Sequence, residues 1–362
     1  MQSTEKSRKK RERFRGVDTR IKALLDGEKV DRVPLFLFAL GFCARTVGYT
    51  LHDIYSSAEK SFLAQLRTAE MYGCQALPRF GISLGAVEFG GEISLPESEW
   101  DQSPSVKRYP VQSEEDIEKL EFLDVEKAGL RSINIQVAQL VERHGLPVIP
   151  FHNGSPFSRA SNVCGVDTLC RWVLKKPKAA HRLLRLFTDR MVEVARHWTS
   201  IFPPERLLPF VAMPVESNQV ISPRHFMEFG LPYLKDLNSR MLGMGIKHIH
   251  CHVCGEQNGN LPYLREIPLG DPGIASFGHE VDLARAIEYI GDRAIIAGNI
   301  NPIDIQVATP QGVYDLAMQC IDKAKHAPRG YLMMPGCEMP PLAPPYNVYM
   351  IKKAIEDFGW YE

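Results

Sequence analysis

The residues best suited to chemistry run in one string, His248-Ile249-His250-Cys251-His252-Val253-Cys254-Gly255. Side chains on a strand alternate between faces. His248, His250, His252 and Cys254 therefore share one side, and Ile249, Cys251 and Val253 take the other. This parity puts Cys251 and Cys254 on opposite sides and argues against a CxxC redox pair. Three histidines and a cysteine form a poor surface for apolar helices, so their face is expected to point inward. His252-x-Cys254 at a strand end can fill two adjacent corners of a tetrahedral zinc site. Alone, a histidine or cysteine on a strand is more often a buried packing residue than a ligand. A third soft donor strengthens the pattern: Cys337, in Met334-Pro335-Gly336-Cys337, follows the apolar run 330–334. Three protein ligands and one open position make a catalytic zinc site, whereas four close a structural one. Two thiolates balance the +2 of the ion, which can still polarise a thiol, hydroxyl or ether oxygen in the open position.

Further polar residues follow apolar runs. Glu216 lies in PVESN, His152 and Asn153 in HNGSPFS, and Asn299 in GNINP. Glu216 is read either as a fourth ligand or proton donor, or as a loop carboxylate or helix cap. Asn299 has the rival reading of a turn residue before Pro302. His248 and His250 are read as partners that orient the ligands or as interior packing; of the two, His250 is carried forward as a catalytic candidate beside Glu216. His152, Asn153, Asn299 and Phe38 are carried forward as candidates for binding a substrate or a further cofactor, Phe38 because Phe36, Phe38 and Phe42 offer an aromatic face on the first strand.

Such residues need a scaffold that brings loops together. Short apolar runs at 33–40, 146–151, 207–215, 246–253, 274–277, 294–297 and 330–334 alternate with helical patterns at 128–143, 178–200, 223–244, 282–290, 311–324 and 345–358. Hydrophobic strands alternating with helices imply a parallel sheet covered on its faces. Seven or eight such units without a GxGxxG turn point to a closed (β/α)8 TIM barrel rather than a doubly wound sheet. The Gly-, Asn- and Pro-rich turns fall after the strands, where a barrel keeps its active site. Residues 1–30 read as an N-terminal helical extension, 31–362 as one barrel domain, and about 80–125, with GGEISLPESEW, as an insertion near the barrel mouth.

Composition narrows the function classes. The 43 basic residues equal the 43 acidic ones, which argues against a surface built for nucleic acid. The longest apolar stretch, 33–44, is broken by Pro34 and Gly41 and falls short of the ~20 residues of a membrane helix. The basic start MQSTEKSRKKRERFRG lacks an apolar core and is not a secretory signal; it reads as a solvated helix or frayed tail. Eight cysteines without such a signal suit a reducing cytoplasm and metal or catalytic roles better than disulfides. Oligomeric state stays open, a homo-oligomer included.

The segments GEKVDRVP, LPVIPFHNGSPFSRASNVCG, ISPRHFMEFGLPYLKDL, HVCG, IIAGNINP and GYLMMPGCEMPPLAPPYNV together resemble the uroporphyrinogen decarboxylase superfamily, from about Asp31 to the C-terminus. The resemblance implies a (β/α)8 barrel and one of two chemistries. The decarboxylase branch carries an RQAGR-type segment whose arginines hold substrate carboxylates. Here residues 37–45 read LFALGFCAR, leaving only Arg45, so decarboxylation is disfavoured. The other branch, zinc-dependent methyltransferases of corrinoid systems, has an HxC and downstream Cys motif that maps onto His252, Cys254 and Cys337. It implies Zn2+ and a corrinoid (cobalamin) carried by a small partner protein. Some of its members methylate a thiol such as coenzyme M, and others demethylate a donor such as a methoxylated aromatic. The expectation is an O-demethylase component that passes a methyl group from an O-methylated, aromatic substrate to Co(I). The rivals are a thiol methyltransferase, a decarboxylase and a non-catalytic corrinoid-binding barrel.

Overall fold

The computed structural model describes residues 18–81, 85–98, 101, 103–121, 124–126 and 130–362. The basic start and part of the 80–125 segment lie outside these.

Six strands form one parallel sheet: β3 (Ile149–His152), β4 (Leu207–Ala212), β5 (His250–Val253), β6 (Gly273–Phe277), β7 (Ala294–Ile300) and β8 (Tyr331–Pro335), each paired with the next. A short hairpin, β1 (Glu92–Ser94) and β2 (Ser105–Arg108), stands apart in the expected insertion. Residues 33–38 continue the main sheet past β8: Leu35 bridges Met333 in parallel, with Phe36 N–H donating to Met333 O at 2.9 Å. Residues 75–79 follow, with Gln75 N–H donating to Leu35 O at 2.7 Å.

Parity along these strands explains why the sheet curls. One buried cluster takes alternate residues from seven of the eight positions: Phe36 and Phe38, Leu77, Val148, Leu208 and Phe210, Ile274, Ile295 and Ala297, Leu332 and Met334; the fifth position supplies the buried His250 and His252. The intervening residues, among them Phe151, Val211, Cys251, Ala275, Ile296 and Met333, belong to a second cluster under the helices. Arg79, Phe38, Phe210, His152 and His252 make ring contacts across the interior. Side chains of strands one to five can meet only if the sheet is rolled. The fold is the expected α/β barrel.

The main covering helices are α1 (Arg20–Leu25), α2 (Leu40–Thr46), α3 (Ala58–Tyr72), α4 (Arg131–Arg143), α5 (Pro156–Cys164), α6 (Pro177–Ile201), α7 (Leu231–Leu242), α8 (Leu283–Ile290), α9 (Pro310–Ala324) and α10 (Pro345–Phe358). Helix α1, from the segment read as an extension, plugs the N-terminal end of the barrel, because Ile21, Leu24 and Leu25 join the interior cluster. The expected helix 223–244 is interrupted. Residues Pro223–His225 form one turn and Phe226–Gly230 a wider π-type turn before α7 begins. Pro232 has no N–H to donate to the preceding turn, and a Cβ on Gly230 would come within 2.6 Å of Phe226. The aromatic face expected on the first strand also loses a member. The chain enters α2 at Leu40, so Phe42 lies under the helices against Tyr72. Among the described residues no helix is long and apolar enough to cross a membrane.

Candidate metal centre

The parallel register builds the site from below. It sets His250 beside Phe210 and Ile274, and His252 beside Ala212 and Ser276. His252 is the last inward residue of β5, so Cys254 emerges at the C-terminal rim. Cys337 reaches the same rim from the end of β8. The loops approach closely because glycine permits it: a Cβ on Gly336 would lie 2.7 Å from His279 N, and one on Gly278 would lie 2.8 Å from Gly255 N.

His252, Cys254 and Cys337 bring one nitrogen and two sulfurs within 4.8 Å of one another. The sulfurs are 3.5 Å apart. Two thiolates ~2.3 Å from a tetrahedral zinc stand ~3.8 Å apart, so this spacing needs little change. His252 Nε2 is buried and has no hydrogen-bond partner among the described residues. A buried ring nitrogen is ordinarily paired, and a metal ligand must keep its lone pair free. The residues present fit a zinc ion. The hydrogen bond from Cys254, and then His252 alongside, draw the Cys337 thiol well below its ordinary pKa, while the same sharing and burial hold the Cys254 proton on. One sulfur is already predisposed to be thiolate. All eight cysteines are free thiols.

The other ring nitrogen is held from behind. His252 Nδ1 lies 2.9 Å from Ser276 Oγ, which lies 2.8 Å from His250 Nε2. Burial, then the charge of Arg79, pushes His250 well below its usual pKa and keeps it neutral. For Nε2 of His252 to face a metal, its proton must sit on Nδ1 and be donated to Ser276. The Ser276 hydroxyl then donates to His250. His250 thus touches the ligands only through Ser276. His248 sits at the other end of the strand, with Nδ1 2.8 Å from Pro272 O.

The remaining expected site residues are placed differently. Glu216 is not part of the ligand cluster. It is fully buried, and its two oxygens accept from the hydroxyls of Ser155 and Ser158 at the start of α5, the latter at 2.6 Å. Burial raises its pKa to about 7 despite those bonds. Asn153 is a correction: one residue past His152 it faces outward, completely buried, with Nδ2 3.4 Å from Met241 Sδ. A substrate in the barrel cannot reach it. Asn299 is a second correction, for its amide donates to Gly278 O and Val281 O at 3.0 and 2.7 Å and ties down the loop after β6. Phe38 does face the interior, but it is 9% exposed and packs 5.6 Å from both Phe210 and His252. His152 is inward and buried, and among the described residues neither ring nitrogen has a hydrogen-bond partner.

Sequence reasoning missed Ser276, Arg79 and Glu338. Ser276 is the single polar residue in the apolar strand GIASF. Arg79 is 3% exposed, with its guanidinium 4.1 Å from the Phe38 ring centroid and 3.9 Å from that of Phe210. Glu338 adjoins Cys337; burial, then the charge of Cys337, raises its pKa to about 7.

A family model described as uroporphyrinogen decarboxylase matches residues 17–358. The chain is 28% identical over 276 residues to a methylated-thiol–coenzyme M methyltransferase of Methanosarcina mazei, covering 73% of this chain and 69% of that one. It is 25% identical over 350 residues to a methylcobamide:CoM methyltransferase of Methanosarcina acetivorans, covering 94% and 98%. Among solved structures, a methyltransferase from Methanosarcina mazei superposes with a TM-score of 0.78 at 22% identity, covering 94% and 98%.

Proposed function

We propose that this chain, which belongs to the uroporphyrinogen decarboxylase family, transfers a methyl group between a small substrate and a corrinoid carried by a partner protein. The observation that carries this reading is the convergence of His252, Cys254 and Cys337 around an unpaired, buried Nε2. These three residues would hold Zn2+, whose chemistry is to polarise the oxygen or sulfur that bears the methyl group. Ser276 and His250 fix the tautomer and tilt of the His252 ring. Similarity to two relatives named for methyl transfer to coenzyme M supports the methyltransferase branch. Decarboxylation is disfavoured because Arg45, the one arginine in the first-strand segment, is exposed at the end of α2.

The finer reading is removal of the methyl group from an O-methylated aromatic substrate. It is supported by the 80–125 insertion, which follows the second-strand segment 75–79 and which the sequence places near the barrel mouth. The first-strand aromatics support it less than their sequence implies, since Phe38 and Phe36 are packed and Phe42 is elsewhere. A second reading, methylation of a thiol, is favoured by the two relatives named for methyl transfer to coenzyme M. The cobalt spectrum separates the two. Mixed with reduced corrinoid protein and a methoxybenzene, a demethylase converts Co(I) to methyl-Co(III). Given methylcobalamin and a thiol, a thiol methyltransferase runs the spectrum the other way. No cobalt change in either mixture refutes both readings. Loss of CO2 from a porphyrinogen without metal would favour the decarboxylase.

A further inference from the structure

Across the Phe210 ring from the metal centre, four segments bury an excess of polar groups around a small cavity. His152 comes from the end of β3, Arg159 from α5, Arg131 and Asn134 from α4, and Glu88 from the short helix Gly85–Phe89. All are at most 7% exposed. The loop after β3 is shaped for this. Gly154 takes φ +78°, and a Cβ there would lie 2.9 Å from Arg159 Nε. Arg159 can therefore lie flat on the turn and donate to Asn153 O at 2.7 Å.

The hydrogen bonds do not close. Arg131 Nη2 pairs with Glu88 at 2.8 Å. Arg131 Nε, Asn134 Oδ1 and both ring nitrogens of His152 have no partner among the described residues. Nor do the charges close. Among the described residues the guanidinium groups of Arg131 and Arg159 face one carboxylate, Glu88; Arg79, which also acts on His152, faces Glu338 and Cys337 instead. Burial and these three arginines keep His152 neutral. Ordered water could satisfy the donors, but it cannot offset a buried positive charge, which costs several kcal/mol unless an anion pairs with it.

We infer that this cavity is a subsite for an anionic group, a carboxylate or sulfonate, on the small molecule whose methyl-bearing or thiol end reaches the metal centre. The inference rests on the function proposed above for that centre and adds the substrate's charge and its placement. Arg131 Nε and His152 offer donors to the anion, and Arg159 supplies the uncompensated charge. His152 and His252 both pack on Phe210, 5.4 and 5.7 Å from its centroid. The two ends of the substrate are thus held about one aromatic ring apart, which suits a substituted benzoate or a short sulfonated thiol.

Calorimetric titration of the zinc-loaded protein tests this with two matched pairs, 3-methoxybenzoate against 3-methoxybenzamide and 2-mercaptoethanesulfonate against 2-mercaptoethanol. In one pair the anion should bind more tightly, on the order of ten- to hundredfold, the worth of a hydrogen bond to a charged group. Arg159→Met and, separately, Arg131→Gln should abolish that preference while zinc content stays at the wild-type level. The wild-type comparison stands even if a variant fails to fold. A preference in the benzoate pair supports the subsite together with an ether-type substrate. A preference in the thiol pair supports the subsite and refutes the ether reading. No preference in either pair, or one that survives both substitutions, overturns the subsite, and zinc-dependent binding of the neutral compounds would then leave the proposed function standing.

Discussion

Replacing Ser276 by alanine should loosen the metal without touching a ligand. The Ser276 hydroxyl lies 2.9 Å from His252 Nδ1 and 2.8 Å from His250 Nε2, and it is fully buried. Alanine removes both bonds and leaves two interior ring nitrogens without a partner. Each orphaned group costs about 1–3 kcal/mol, so the metal-free protein should lose on the order of 2–6 kcal/mol of stability. The effect on zinc is separate. Without Ser276 nothing selects the tautomer that exposes Nε2, and the ring can turn. Loss of such a partner weakens metal binding by about 10–100-fold, or roughly 1.4–2.8 kcal/mol. Competition with a chromophoric chelator measures the affinity, and circular dichroism confirms that the barrel has formed. The sulfur ligands are untouched, so absorption spectroscopy of the weakened site should still report two sulfurs. An affinity within about twofold of wild type, less than 0.5 kcal/mol, would refute the argument that the β6 serine orients the β5 ligand.

Cys337→Ser and His252→Ala should each lower bound zinc to a small fraction of wild type in metal analysis of the folded protein; wild-type zinc in both would remove the centre. Phe210→Ala should cost about 3–5 kcal/mol in urea denaturation, since Phe210 is 2% exposed and packs against Phe38, His250 and His252; a loss below 1 kcal/mol would mean that the barrel interior is less tightly packed than it looks. Glu216→Gln should stabilise the protein in a pH-dependent way. Burial raises the folded pKa from 4.5 to about 7, so the folded state holds the proton more tightly than the unfolded chain. The carboxyl costs nothing below pH 4.5, and its penalty grows between pH 4.5 and 7 to about 3 kcal/mol. The variant should therefore gain on the wild type as pH rises from 5 to 8, and an equal difference at both values would show that Glu216 does not titrate in this window.

The three candidate metal ligands are legible in the sequence because a strand imposes parity. Once 246–253 was read as a strand, His252 and Cys254 had to share a side, and Cys337 had to leave at the same rim if 330–334 was the last strand. Helix ends were legible to within a few residues where proline or a polar cap marks them, as at Pro177, Asp282 and Pro345. A place in the loop after a strand does not by itself put a residue in the site. Asn153 stands next to an inward histidine and so faces out, and Asn299 turns its amide to the neighbouring loop. Polar loops after strands carry function in barrels, which makes both residues read as site candidates, yet the same loops need amides to pair their own backbone. The residues that were missed share a different cause. Ser276 acts through its neighbour in the register, Arg79 through two rings from strands one and four, and Arg131 and Arg159 through a cavity formed by two helices. None has a partner at a fixed spacing in sequence, so no motif announces them. What marks them is a failed account of buried donors and charges, which exists only once the chain is folded. That account also decides how Glu216 is read. A carboxyl gripped by two serines in the interior is a proton holder at the base of α5, and a metal could recruit it only by breaking both bonds.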